Sequence, residues 1–251
     1  MSPALFNELS ACSADFATLA LATARGSRPW AGSPFEPRPR TGRPWEWKTR
    51  GPRMRWARPT LLQMTGSEPA GSERYGGGAI VIHDYDPRWP ARFAEERARI
   101  QAALGDLVVT IEHIGSTSVV GLAAKPIIDL LVGVRGLDEA RAAAVQPMRA
   151  LGYVYVAEYE SWLPDEMLFR KGPPGPWTHH AHLMEPTGGR WEEYTLPRDY
   201  LRMNPEVARA YGELKKSLAL VFEDDIAGFR RAKRPFLEVI LRRAREERAR
   251  T

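Results

Sequence analysis

The chain has 251 residues, of which 43% are apolar and one is cysteine, and a formal net charge of +5. That length supports one or two domains with a real core. The lone Cys12 excludes an internal disulfide framework, and no apolar run reaches the roughly 18 residues of a membrane-spanning helix. No basic residue precedes Arg25, so the N-terminus lacks the basic start of a secretory signal, and a cytoplasmic protein is expected.

The charge is unevenly placed. Residues 1–78 hold 11 of the 36 basic and 6 of the 31 acidic side chains, which leaves 25 of each sign in the remainder. The cationic excess therefore lies outside the part that reads as folded, and no nucleic-acid polymer is expected as a partner of the folded domain. The same segment carries nine of the 21 prolines and ends in Gly76-Gly77-Gly78, with no lasting helical or strand period. It reads as a disordered Pro/Arg-rich extension that buries too little to offset its ordering entropy. It could be upstream sequence ahead of a start at Met64, or an RNA- or partner-binding tail.

Order begins at Ala79, and residues 79–248 read as one domain. Ala79–Ile82 predicts a short strand. Asp86 and Pro87 suit the N-cap and first position of a helix carrying Trp89, Phe93, Ile100 and Leu104 on one stripe, closed by Gly105. Leu107–Ile114 and Ile127–Val134 predict strands. Asp138 opens a helix through Leu151, bent at Pro147 and ended by Gly152. Tyr153–Tyr159, Met167–Arg170 and Thr178–Met184 predict three more strands. Asn204-Pro205 starts a helix with Val207, Tyr211, Leu214, Leu218 and Val221 on one stripe, and Asp225 starts another that continues past Pro235. The expected class is α+β, a mixed β-sheet flanked by helices.

Chemistry concentrates in residues 111–132. An apolar strand runs into Gly115-Ser116-Thr117, where a glycine lets backbone N–H groups approach an anion and two hydroxyls add donors. A second apolar strand follows, with Asp129 among Ile128, Leu130, Leu131 and Val132. A carboxylate in such a run is costly unless it is paired, metal-bound or at the edge of a site. Two readings stay open at this point: a phosphate-type turn beside a functional acid, or a strand-end turn with Asp129 satisfied by Lys125 or a backbone cap.

Several motifs then resemble one family. His113-Ile114-Gly115-Ser116-Thr117, Gly121-Leu122-Ala123-Ala124-Lys125-Pro126-Ile127-Ile128-Asp129 and Thr178-His179-His180-Ala181-His182-Leu183 are similar to the GrpB family of bacterial proteins. So are Asp84-Tyr85-Asp86-Pro87-Arg88-Trp89-Pro90, Arg198-Asp199-Tyr200-Leu201-Arg202 and Lys233-Arg234-Pro235-Phe236. The resemblance runs in order from about Ile80 to about Arg243. It implies a nucleotidyltransferase-like sheet of the DNA polymerase β type, with Gly115, Ser116 and Thr117 at the phosphates. Asp129 would hold a divalent ion, Mg²⁺ or Mn²⁺, beside a small-molecule nucleotide. Two residues depart from the pattern: Leu131 stands where a second acid is usual, and Val120 where proline is common.

Strand alternation puts His180 and His182 on one side and His179 on the other. His180 and His182 are therefore the expected replacements for the missing ligand, with His182 also a candidate base, and His113 is expected to point at the same region. Glu112 should face away. Among the cations, Lys125, Lys215 and Lys233 are the phosphate-binding candidates, Lys233 because it interrupts an apolar stripe. The implied activity is transfer of a nucleoside monophosphate from an NTP to a hydroxyl of an unknown small acceptor. The alternative is a non-catalytic nucleotide- or metabolite-binding module, accessory to coenzyme A metabolism, because GrpB-like domains resemble the extra domain fused to some dephospho-CoA kinases. The chain has no Gly-x-x-x-x-Gly-Lys-Ser/Thr loop and so is not itself such a kinase.

Overall fold

A computed structural model describes residues 79–173, 177–187 and 189–250, so the expectation for residues 1–78 lies outside the described residues. The elements are α1 (Trp89–Leu104), β1 (Val108–Ile114), β2 (Ile128–Val134), α2 (Leu137–Ala143), α3 (Val145–Ala150), β3 (Tyr153–Tyr155), β4 (Met167–Lys171), β5 (His179–Met184), α4 (Gly189–Met203), α5 (Pro205–Phe222) and α6 (Ile226–Arg248). The five strands form one mixed sheet in the order β1-β2-β5-β4-β3. Only β2 and β5 run parallel; the other neighbours are antiparallel. The fold is the expected α+β class.

Each face of the sheet has its own core. On one face α1, α2 and α3 cover Ile128, Leu130, Val132, Ala181 and Leu183, with Trp89, Ile100, Ala140 and Met148 interleaved among them. On the other face a small cluster of Ile114, Leu131 and Met184 meets Trp191 and Tyr194 of α4. Beyond it α4, α5 and α6 build a helical core around Tyr211, Leu214, Phe229, Phe236 and Ile240. The stripes on α5 and α6 have the helical spacing that such a core requires.

Several local expectations are corrected. Residues 79–82 form no strand: the Ile80 N–H donates to the Glu223 carbonyl at 2.7 Å, and only His83 bridges, to Ala124. The first helix begins at Trp89 rather than Pro87, because Asp86 turns back to accept from the Arg88 N–H at 2.9 Å. The span from 138 to 151 is two helices that part at Ala144, not one bent at Pro147, and its N-cap is Gly136. β3 stops at Tyr155, and a 3-10 turn follows over Ala157–Ser161.

Candidate functional site

The turn after β1 depends on Gly115. Its φ of 70° and ψ of −174° lie in a region essentially reserved for glycine, and a Cβ there would overlap Asp129 Oδ2. The Asp129 carboxylate thus lies directly against the turn. Ser116–Ser118 forms one 3-10 turn, with the Ser118 hydroxyl donating to the Gly115 carbonyl at 2.6 Å. Arg202 of α4 braces it through two donations to the Ser118 carbonyl, at 3.1 and 3.0 Å. Arg198 ties the same helix to Glu112, which lies on the Asp129 face of the sheet rather than facing away as expected, and to the His113 carbonyl.

Register brings the acid and the imidazoles together. In the parallel β2–β5 pair, Asp129 lies opposite His180 and Leu131 opposite His182, so all four share the face opposite α1. His180 Nδ1 meets Asp129 Oδ1 at 3.1 Å, while His180 Nε2 is buried with no hydrogen-bond partner among the described residues. Donor atoms of Asp129, His180 and His182 all lie within 4.8 Å of one another. Burial raises the Asp129 carboxyl, but the His180 hydrogen bond and the neighbouring imidazoles outweigh it, and its pKa falls below the usual value. Burial lowers His180, which is neutral near pH 7. An ionised carboxylate and neutral imidazoles are the forms that bind metals. With two imidazoles and one carboxylate, the donor set fits Mn²⁺ or Zn²⁺ better than Mg²⁺.

His182 has a partner that sequence reasoning missed. Its Nδ1 lies 2.6 Å from Oε1 of Glu166, which is fully buried just before β4. The Tyr194 hydroxyl donates to both oxygens of that carboxylate at 3.0 Å. Nothing in the local pattern marks Glu166 or Tyr194; only the folded sheet and α4 bring them to His182.

Three lysines approach from three segments. Lys215 of α5, 3% exposed, donates to Ser116 Oγ at 2.8 Å and lies 4.5 Å from the Tyr211 ring centroid. Lys125 and Lys233 lie 5.1 and 5.7 Å from the centroid of one ring, Phe229. Burial, and then neighbouring positive charge, holds Lys215 well below the ordinary lysine value and brings Lys125 and Lys233 down to about 8. Among the described residues none of the three makes an ion pair with a carboxylate.

Other expected site residues lie elsewhere. The Thr117 hydroxyl is buried, donates to the Ile127 carbonyl at 3.1 Å and meets His113 Nε2 at 3.1 Å, so it closes the loop internally rather than facing a ligand. His113 stacks on Phe93 of α1, with centroids 4.5 Å apart, on the face away from Asp129. Burial pushes its pKa down to about 4. His179 faces the α1 side, where its Nδ1 meets the Thr178 hydroxyl at 2.9 Å. Asp129 is satisfied by His180, not by Lys125. A groove of about 470 Å³ near the start of α1, between His83, Tyr85, Arg92 and Pro126, contains none of the site residues.

A five-stranded mixed sheet with a glycine turn, one acid and two strand histidines defines the class. The family described as GrpB protein matches residues 79–243, and the chain belongs to that family. The UPF0157 protein PA4798 of Pseudomonas aeruginosa is 42% identical over 170 residues, which cover 66% of this chain and 67% of that protein. The UPF0157 protein YqkA of Bacillus subtilis is 39% identical over 147 residues, 59% of this chain but only 42% of that protein's length. The crystal structure of GrpB from Enterococcus faecalis superposes with a TM-score of 0.62 at 35% identity, covering 66% of this chain and 98% of that one. A dephospho-CoA kinase of Mycolicibacterium paratuberculosis is 28% identical over 181 residues, 44% of its length. No helix among the described residues is long and apolar enough to cross a membrane.

Proposed function

We propose that this site binds the phosphates of a nucleotide beside one divalent ion and transfers a nucleoside monophosphate to a hydroxyl of a small acceptor, as the resemblance to polymerase β-type nucleotidyltransferases implies. One observation carries the reading: an ionised acid pressed against a glycine-serine turn that Lys215 contacts, with Lys125 and Lys233 gathered at Phe229 and none of the three paired with a carboxylate among the described residues. Such lysines fit an anionic ligand that supplies the missing counter-charge. Gly115 and Ser116 offer the turn, Lys215 fixes the serine hydroxyl, and Lys125 and Lys233 suit the outer phosphates. Asp129, His180 and His182 would hold the ion, which supplies charge neutralisation at the phosphate oxygens. In the reaction the acceptor hydroxyl bonds to the α-phosphorus, the bond to pyrophosphate breaks, and the hydroxyl proton passes to a base. A His182 held as the Nδ1–H tautomer has its Nε2 available for that proton or for the ion, but not for both at once.

Leu131 favours a second reading, a nucleotide- or metabolite-binding module without turnover. It is fully buried under Trp191 and Tyr194, so the second acid of a two-metal site has no place there. The partial similarity to a dephospho-CoA kinase suits an accessory role in coenzyme A metabolism. A thermal-shift screen of NTPs with Mg²⁺ or Mn²⁺ tests both readings. An NTP that stabilises the protein and is consumed supports transfer; one that stabilises it and stays intact supports the binding module. Asp129→Asn is expected to keep the fold and lose the metal-dependent stabilisation. A variant that responds as wild type does makes Asp129 structural and ends the transferase reading.

A further inference from the structure

We infer that Glu166 is a positioning residue: with Tyr194 it holds His182 as the Nδ1–H tautomer, aims Nε2 at Asp129, and stands in from one layer back for the second acid that Leu131 excludes. This rests on the metal reading above and adds to it the source of the site's second negative charge.

The register supports the substitution. His182 is the β5 residue directly opposite Leu131, so its ring stands beside the position where a second carboxylate would project. Behind that ring lies Glu166, whose side chain is 0% exposed. A carboxylate buried so completely is costly unless donors satisfy it. Here three contacts do so: His182 Nδ1 at 2.6 Å on Oε1, and the Tyr194 hydroxyl at 3.0 Å on each oxygen. The Tyr194 hydroxyl donates to the same group, and a carboxylate that accepts from both neighbours leaves the shared proton on Nδ1. Its partner nitrogen, Nε2, then carries the lone pair. Tyr194 keeps its proton: burial and then the Glu166 charge push its hydroxyl well above the usual value.

A carboxylate behind a ligating imidazole raises its basicity and fixes its orientation. Two acids thus serve the site, Asp129 in direct reach and Glu166 through His182. Presenting the second charge through nitrogen rather than oxygen shifts preference from Mg²⁺ towards Mn²⁺ or Zn²⁺. The His180 ring lies 6.4 Å from that of His182 and at 89° to it, so the two imidazoles approach Asp129 from different directions.

The test measures Mn²⁺, Zn²⁺ and Mg²⁺ affinity of the full chain by titration calorimetry for wild type, Glu166→Gln and Tyr194→Phe. Imidazole ¹⁵N–¹H correlation spectra of the metal-free proteins accompany it. Wild type is expected to bind Mn²⁺ or Zn²⁺ at least about tenfold more tightly than Mg²⁺, Glu166→Gln to lose about 10–100-fold, and Tyr194→Phe to lose less. The spectra are expected to show His182 protonated at Nδ1 and bare at Nε2. Tyr194→Phe removes only an oxygen and keeps the measurement open if the glutamine variant does not fold. A wild-type protein that binds metal while both variants match it, or a His182 protonated at Nε2, overturns this inference alone. A wild-type protein that binds none of the three ions overturns the metal reading and this inference with it.

Discussion

At position 115 even one methyl group would displace the Asp129 carboxylate, because Oδ2 occupies the space a Cβ would fill. Gly115→Ala is therefore expected to cost about 1–3 kcal/mol through the glycine-only backbone conformation. It should also remove the rise in Tm caused by Mn²⁺. Urea denaturation and thermal melts with and without the ion read the two effects; an unchanged metal response would separate the carboxylate from the metal. The lysines make a different prediction. Lys125 and Lys233 lose their protons near pH 8 in the folded protein rather than near the ordinary 10.5. Between those values the unfolded chain holds protons that the folded chain has released, so stability rises with pH across that window. Anion binding has the opposite trend, because it needs the charged amines. Sulfate, whose own charge is constant over this range, should bind more weakly as pH rises through about 8. Titrations at pH 7 and pH 9 check this, and a Lys125→Met/Lys233→Met variant should flatten the difference. Retention of sulfate affinity up to pH 9 would show that other cations hold it.

Among the elements, those with clear periodicity were legible. Trp89, Ile100 and Leu104 fall on one stripe, and β2 is an apolar run broken only by Asp129, so α1 and β2 follow from spacing. α4 was not legible as a helix. It carries Pro197 inside it and buries Glu193 beside Tyr200 and Leu201, so no apolar stripe announces it. Arg198 to Glu112 and Arg202 to the Ser118 carbonyl also fasten it, and such polar contacts leave no periodic trace. The segment at 79–82 misled for a related reason: its β-branched run looks like a strand, but its anchor is the end of α5. In the site, Asp129, His180 and His182 were legible through strand alternation. Glu166 and Tyr194 were not, because Glu166 reaches His182 only when β4 pairs with β5, and Tyr194 only when α4 packs on the sheet.

On the scale of the molecule, the site lies at a seam. Asp129, His180 and His182 belong to the sheet, whereas Lys215 and Lys233 belong to α5 and α6, whose core is separate from the one beneath α1. The Ile114–Leu131–Met184 cluster, the Arg198–Glu112 ion pair and the Lys215–Ser116 hydrogen bond are among the contacts that join the layers on that side. A ligand held by both layers should therefore stabilise the domain as one unit. At 100 times its Kd, any ligand specific for the folded state adds roughly 2.7 kcal/mol. With a nucleotide and Mn²⁺ at that level, the melting curve is expected to shift upward as a single sharper transition. Two separated transitions under those conditions would mean that the ligand grips one layer only.

The parallel pairing of β2 with β5 has a consequence for folding fidelity. Sliding β5 by one residue would turn His180 and His182 into the α1 core, expel Ala181 and Leu183 from it, and leave His179 alone beside Asp129. Three histidines within four positions mean that the slipped strand still offers the acid an imidazole, though only one. A metal that needs two of them would reward the correct alignment and reject the shifted one, so the ion would act as a proofreader of the sheet that holds it.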